Sequence, residues 1–196
     1  MLNKKNTHHH GDLRAALVQA GVDLIHEKGP DALSIRKVAA LAGVSHAAPA
    51  HHFPTLIHLR TAIVAYGHAV FTQHMQNEMD AEPDKGSRPI LLAAGRGYIK
   101  FVVANPALYH LMFGGYEINN QDQNFQKAAG KSNAILVHSS APIIPGVTGD
   151  EGNQLLVWSI IHGFAGIMLN DTTGRIDKAT APQLLEKIFP VLPMSE

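Results

Sequence analysis

Cysteine is absent from the sequence, which excludes a disulfide framework and any thiolate metal site. An excess of one charge is also missing. Sixteen lysines and arginines balance sixteen acidic residues, so the whole chain carries no net pull toward a polyanion. No uninterrupted apolar run reads as long enough to span a bilayer. The opening MLNKKNTHHHGDLR lacks the apolar stretch of a secretory signal. The expectation is a soluble, cytoplasmic protein without membrane contact. Catalytic signatures are lacking too: no nucleophile elbow, no HExxH, no phosphate-binding loop and no paired carboxylates on one face. Gly95 and Gly97 imitate part of a dinucleotide fingerprint, but the third glycine and the preceding strand are missing. Three consecutive histidines, His8 to His10, cannot all face one metal from a helix, and a metal site needs supporting partners. No enzyme, cofactor or metal is expected.

What is present is a chain of 196 residues, 45% hydrophobic. That is enough to bury a real core in one large or two small domains. Charge is unevenly placed. Residues 1–60 hold seven lysines and arginines against four acidic residues, a net +3 that leaves −3 for the rest. Eight of the thirteen histidines lie in the same segment. The asymmetry favours a polyanion partner at the N-terminal end.

The stretch Ser34 to Phe53, SIRKVAALAGVSHAAPAHHF, reads as helix, tight turn, helix. Ser34 is placed to cap the first helix with its hydroxyl. Ile35, Val38, Ala39 and Ala42 share one face. Gly43 stands where the chain must leave the helix, and it tolerates positive φ. Val44 buries under the turn, and Ser45 is the next capping candidate, opening a short helix from His46 to His52. Two short helices joined by a glycine-containing turn form a helix-turn-helix, although an ordinary αα-corner has the same outline.

The flanks extend the pattern. A first helix runs from Asp12 to Glu27 on a stripe of Leu13, Leu17, Ala20 and Leu24, and Gly29-Pro30 ends it. A long helix follows from Leu56 to Ala81 with Leu56, Leu59, Ile63, Tyr66 and Val70 as its stripe. From about His9 to His68 the chain resembles the DNA-binding domain of the tetracycline-repressor (TetR) family. The matching features, in order, are EKGPDALS, RKVAALAGVS and a closing HHF. Further on, NPALYHLMFG and WSIIHGF resemble the ligand-binding half of the subgroup named for its Trp, His and Gly.

That resemblance implies an all-α protein with a DNA-binding head at 9–69 joined by a long helix to a ligand-binding and dimerisation body at 70–196. It implies a bacterial transcriptional repressor. Its partners would be a double-stranded, palindromic DNA operator, a small-molecule effector of unknown identity and a second copy of the chain. The first helix would place its N-terminal dipole near a phosphate. The candidate DNA-contacting residues are Ser34, Arg36, Ser45, His46, Ala47, Ala48, His51 and His52. Small side chains at Ala47 and Ala48 let backbone approach base edges, and the histidines offer donors to phosphate or guanine. Pro49 removes a helical N–H, at lower cost near a helix start. Two positions depart from the family pattern: Ala50 stands for the usual aromatic and Leu56 for the usual lysine. Both usual residues contact the DNA backbone in relatives, so their loss weakens binding without changing which bases are read. A ligand-sensing dimer with relaxed DNA binding is the alternative.

In the body, Ser87 is expected to cap a helix through Ala104, with Gly95 and Gly97 permitting close packing. Asn105-Pro106 opens another helix carrying Leu108, Tyr109, Met112 and Phe113, stopped by Gly114-Gly115. A helix over Gln126–Ser139 and a loop over APIIPGVTGD come next. Glu151 to Asn170 places Trp158, Ile161, His162, Ala165 and Met168 on one face and Val157, Ile160, Phe164 and Ile167 on another. A helix this apolar needs cover on most sides. With a last helix over Pro182–Phe189 it resembles half of a four-helix dimer interface. Tyr98, Phe101, Tyr109, Phe113, Trp158 and His162 are the candidate effector-binding residues, in an apolar pocket with a few polar groups.

Overall fold

The computed structural model describes residues 13–140 and 150–188, which form eight α-helices and two short 3-10 turns, with no strand. The chain is all-α. The expectations for His8 to His10, for a helix start at Asp12, for the loop over 141–149 and for Phe189 lie outside the described residues.

Helix α1 (Leu13–Lys28) buries Leu17, Ala20 and Leu24. It stops at Gly29, whose φ of 78° is a conformation that a side chain would resist. A 3-10 turn, Pro30–Ala32, leads to α2 (Ile35–Leu41). Ser34 caps α2 as its position requires: the Lys37 N–H donates to Ser34 Oγ at 3.3 Å. Gly43 adopts φ 69°. The Val44 and Gly43 N–H groups then reach Ala39 O (3.0 Å) and Ala40 O (3.1 Å), the paired bonds of a left-handed helix ending.

The second helix of the motif differs from expectation. Instead of an α-helix from His46 to His52 there is one 3-10 turn, Ala48–His51. Ser45 does not cap it with its hydroxyl. Its carbonyl accepts the Ala48 N–H at 3.1 Å, one residue short of an α-helical bond. The cause is Pro49. In an α-helix the residue-49 N–H would bond to Ser45 O, and proline has none. The Pro49 carbonyl instead gathers the N–H groups of His52 (2.9 Å) and Phe53 (2.7 Å).

Helix α3 (Leu56–Ala81) is 26 residues long, about 39 Å at 1.5 Å per residue. Its buried side is Leu59, Ile63, Gly67, Phe71 and Met75. The expected stripe through Tyr66 is corrected: Tyr66 is 38% exposed. The buried positions recur every fourth residue because α3 packs first on α1 and then on the body helices, so its inner face drifts around the axis.

Helix α4 (Ser87–Ala104) begins one step from expectation. Gly86 holds the cap position, Ser87 is already helical, and Asp84 Oδ1 accepts the Gly86 N–H at 2.9 Å. Asn105 sits at the cap of α5 (Pro106–Phe113), but its side chain turns back and donates to Phe101 O at 3.1 Å, closing α4. Helix α6 (Gln123–Ser140) starts three residues early because Asp122 Oδ1 accepts the Phe125 N–H at 2.9 Å. Helices α7 (Asp150–Leu169) and α8 (Ala181–Ile188) complete the body.

Gly95 and Gly97 make α4 a central plank. Two residues apart on a helix, they face opposite sides. Gly95 lies under the Leu185 side chain of α8. A Cβ on Gly97 would stand 2.5 Å from His74 O and Met75 Cα, both backbone of α3. Arg96, between them, pairs with Glu82 (2.7 Å), Glu186 (3.2 Å) and Glu78 (3.6 Å), fastening the end of α3, α4 and α8 together.

Helix α7 mixes its two expected faces. Val157, Ile161, Phe164, Ala165 and Met168 are buried, while Leu155 (69%), Trp158 (42%) and Ile167 (64%) are exposed. Each expected face contributes to the buried side, because the wide apolar arc is centred between them. Gly152–Leu169 has a mean hydropathy of 1.2 and is long and apolar enough to cross a membrane by length and composition. The expectation concerned an uninterrupted apolar run, which this window does not contain. Polar Asn153, Gln154, Ser159 and His162 interrupt the run, but it contains no Asp, Glu, Lys or Arg.

Two glycine substitutions should act with opposite sign. Gly97→Ala forces α3 and α4 apart and is expected to cost about 2 kcal/mol or more. Gly130→Ala, on α6 with open space around it, should add about 0.5–1 kcal/mol through helix propensity. Urea unfolding of both variants against the parent measures the pair.

Candidate nucleic-acid interface and ligand cavity

The head presents one polar face. Arg36 and Lys37 stand exposed on α2, and Ser45, His46, Ala47, Ala50, His51 and His52 are exposed on and around the 3-10 turn. Ser34 and Ala48 are half-buried, Ser34 because its hydroxyl is engaged in the cap. Pro49 and Phe53 are buried beneath the turn, and the Arg14 guanidinium lies 5.2 Å over the Phe53 ring. At the start of α3, Thr55 Oγ1 and His58 Nδ1 share a 2.8 Å hydrogen bond. Leu56 is half-buried against the core.

In the body, α3, α4, α5, α6 and α7 enclose a cavity of about 320 Å³. Of the expected effector-binding residues, Tyr98, Phe113 and Trp158 line it. Phe101 does not: it is fully buried behind the wall, where its ring lies 5.1 Å from that of Phe71. Tyr109 and His162 stand behind Tyr98. His162 Nδ1 lies 2.8 Å from Tyr98 Oη and 3.1 Å from Tyr109 Oη. Burial, and then the neighbouring Tyr109, raise the Tyr98 phenol above its usual pKa, and burial raises Tyr109. Burial lowers His162. The three groups are therefore neutral at pH 7, a fixed set of donors and acceptors behind an apolar wall.

Sequence reasoning missed His68, Phe71 and Met75 of α3, and Ser132 and Ser139 of α6, all of which line the cavity. His68, Phe71 and Met75 are three and four residues apart, a helical face that was readable. Ser132, Ile135, Leu136 and Ser139 repeat the spacing, but small hydroxyl residues give it little apolar signal. His68 Nδ1 lies 2.9 Å from Ser132 Oγ, its ring edge-on to Phe113 and Phe125. Burial holds the imidazole down to a pKa of about 4.

Head and body are tied by the loop after α5. Tyr116 Oη donates to Asp31 Oδ1 at 2.7 Å, Arg60 Nη1 donates to Glu117 O at 2.8 Å, and the Asn119 N–H donates to Thr61 Oγ1 at 2.9 Å. A wider groove of about 590 Å³ along α1, α3 and α6, touching Arg14 and Tyr66, contains none of the expected effector residues.

A helix-turn-helix head is carried by a long helix into a cavity-bearing helical body. Residues 91–188 match the family of tetracyclin repressor-like C-terminal domains, and residues 17–55 match the tetR family of bacterial regulatory proteins. The chain belongs to the tetracycline-repressor family. An HTH-type transcriptional repressor of Mycobacterium tuberculosis is 35% identical over 71 residues, 36% of this chain and 38% of that protein. An HTH-type regulator of Mycobacterium bovis matches equally. These matches therefore span well under half the length of either relative. Among solved structures, a Rhodococcus protein of unknown function superposes with a TM-score of 0.79 at 23% identity, covering 97% of this chain and all of that one. The TetR-family regulator PfmR of Thermus thermophilus gives 0.60 at 16%, covering 89% and 97%. The multidrug binding protein EbrR, complexed with imidazole, gives 0.61 at 19%, covering 93% and 96%. At these identities the likeness shows the fold.

His68 makes stability pH-dependent. Its folded pKa of about 4 lies below the ordinary 6.5, so the unfolded chain binds the proton more readily and stability falls as pH drops through that window. Between pH 7 and pH 5 the loss should be about 2 kcal/mol from this group. His68→Gln should flatten that part of the slope, read from urea midpoints at several pH values.

Proposed function

We propose that the protein is a cytoplasmic DNA-binding transcriptional repressor that acts as a two-fold dimer on a palindromic operator and is released by a small molecule held in the body. The observation that carries this reading is the continuity of α3. One unbroken helix begins at Leu56 beside the motif and reaches His68, Phe71 and Met75 in the cavity wall. A ligand that binds unequally to two dispositions of α3 shifts the spacing of the heads. The motif WSIIHGF, with Trp158 at the cavity and His162 behind it, supports placement in the Trp-His-Gly subgroup.

Dimerisation accounts for the bare side of α7. Leu155, Ser159, Gly163 and Ile167 are exposed, and Gly163 and Gly166 have open space where a side chain would be. A second α7 can approach closely there, in the isologous pairing most common among oligomers. Paired heads would then meet successive major grooves about 34–36 Å apart.

A second reading rests on the 3-10 turn. A single turn carries fewer base-facing positions than an α-helix. With Ala50 small and Leu56 half-buried, two habitual phosphate contacts are missing, which favours a ligand-sensing dimer with relaxed DNA specificity. Fluorescence anisotropy with the DNA upstream of the gene, against scrambled DNA at two salt concentrations, separates the readings. The repressor reading expects a preference of about a thousandfold or more. Equal, steeply salt-dependent binding selects the alternative. Arg36→Ala should weaken binding to all sequences alike and reduce the salt slope by about one. Ile167→Glu should convert the dimer to monomer in light scattering; an unchanged dimer would place the interface elsewhere.

A further inference from the structure

The cavity has very few polar atoms, and their hydrogen-bond accounting is informative. Among the described residues its lining contains no Asp, Glu, Lys or Arg. Its ring-bearing walls are Phe71, Tyr98, Phe113, Phe125 and Trp158. An ionised ligand would have to give up its hydration with no counter-charge to replace it. At about 320 Å³ the cavity lies at the small end of ligand sites.

The two contacts of Ser132 bear on the polarity of the one imidazole in the wall. The Ser132 hydroxyl carries a single proton, and it donates to Ala129 O at 2.9 Å. The 2.9 Å contact between His68 Nδ1 and Ser132 Oγ is made together with that bond only when its proton comes from the imidazole, so with both bonds satisfied Nδ1 carries the hydrogen. In a neutral ring the other nitrogen is a bare acceptor. Among the described residues His68 Nε2 has no hydrogen-bond partner, nor is it one of the sealed, unsatisfied atoms of the interior. It is an open lone pair on a cavity-lining ring.

We propose that the cavity takes neutral, compact aromatic molecules bearing one N–H or O–H donor, which donates to His68 Nε2. This rests on the effector-cavity reading and names the chemistry of its ligand. The Ser132 hydroxyl, with its proton engaged by Ala129 O, is a positioning group that favours this tautomer. Flat ligands fit a wall built of ring faces and edges, where offset and edge-on contacts add to burial. The donor requirement follows because an apolar molecule would strip water from Nε2 without replacing its hydrogen bond.

The test is isothermal titration calorimetry of the full chain at pH 7 with three probes: indole, benzofuran and indole-5-carboxylate. Indole and benzofuran share shape and differ in the N–H. Indole should bind about tenfold more tightly than benzofuran, and the carboxylate weakest. His68→Phe should abolish the preference for indole while benzofuran still binds. In the parent protein, long-range proton–nitrogen correlation spectra should show a pyridine-type His68 Nε2 that moves toward the pyrrole-type position as indole is added. This measurement requires no variant to fold. Benzofuran binding as tightly as indole, a pyrrole-type Nε2 in the free protein, tightest binding of the carboxylate, or no binding of any probe would each overturn the proposal. The effector reading is decided separately, by operator release, so the two can fail independently.

Discussion

Backbone lies on backbone where α4 crosses α3. Gly97 leaves no room for a Cβ against His74 O and Met75 Cα, and much of the body depends on that contact. It holds α4 at a distance set by main chain, which no side-chain repacking can relieve. Met75 and Tyr98, the immediate neighbours of this crossing, are both in the cavity wall. One residue earlier, Arg96 gathers Glu78, Glu82 and Glu186 at 20% side-chain exposure. Exposed pairs contribute little singly. A guanidinium shared by three carboxylates from two other helices instead fixes direction, orienting α3 and α8 about α4. Gly95 then lets Leu185 seat α8 on the opposite side. Three consecutive residues thus hold three helices, which is why a segment with two of the three fingerprint glycines serves packing.

The head is governed by a different local constraint. A proline four residues after Ser45 removes the N–H that an α-helix would require there, and the chain settles into one 3-10 turn. Pro49 itself is buried, so its ring fills the space beneath the turn while His46, Ala47, Ala50, His51 and His52 stay outside. Shortening the element leaves fewer exposed positions on a more rigid turn, since proline fixes φ.

The legible parts of the sequence were those determined by local chemistry. Ser34 and Gly43 did what a capping hydroxyl and an unhindered backbone do, and their places could be read directly. Gly95 and Gly97 were legible as packing residues, although which neighbour each met was not. The 3-10 turn at Pro49 was a local effect that a helix expected over His46–His52 underweighted; the other failures came where tertiary context decided. Asn105 stands at the expected cap, yet its amide turns backward to Phe101 O, because a helix also ends there. The stripe of α3 was misread at Tyr66 because a single periodicity was applied to a helix that changes partners along its length. Tyr98, Phe113 and Trp158 were placed at the cavity by their aromatic character. His68 shares a readable helical spacing with Phe71 and Met75, but its pairing with Ser132 has no signal in the sequence until α3 and α6 are brought together.

That pairing of α3 with α6 bears on how a cavity could speak to a head. A ligand biases a conformational equilibrium only by the difference in its affinity for two states, so the groups that matter touch both the cavity and something that moves with the head. Helix α3 meets this condition along its length. Helix α5 meets it in another way: Phe113 lines the cavity, and within three residues Tyr116 is bonded to Asp31, with Glu117 and Asn119 held by Arg60 and Thr61. Arg60 and Thr61 are themselves on α3. The loop after α5 is thus fastened both to the start of the long helix and to the turn between α1 and α2. Displacement of Phe113 without movement of the head would have to break several hydrogen bonds, each worth about 1 kcal/mol. Moving both together breaks none of them, so a shift of the α5 loop and the head as a unit is the lower-cost displacement.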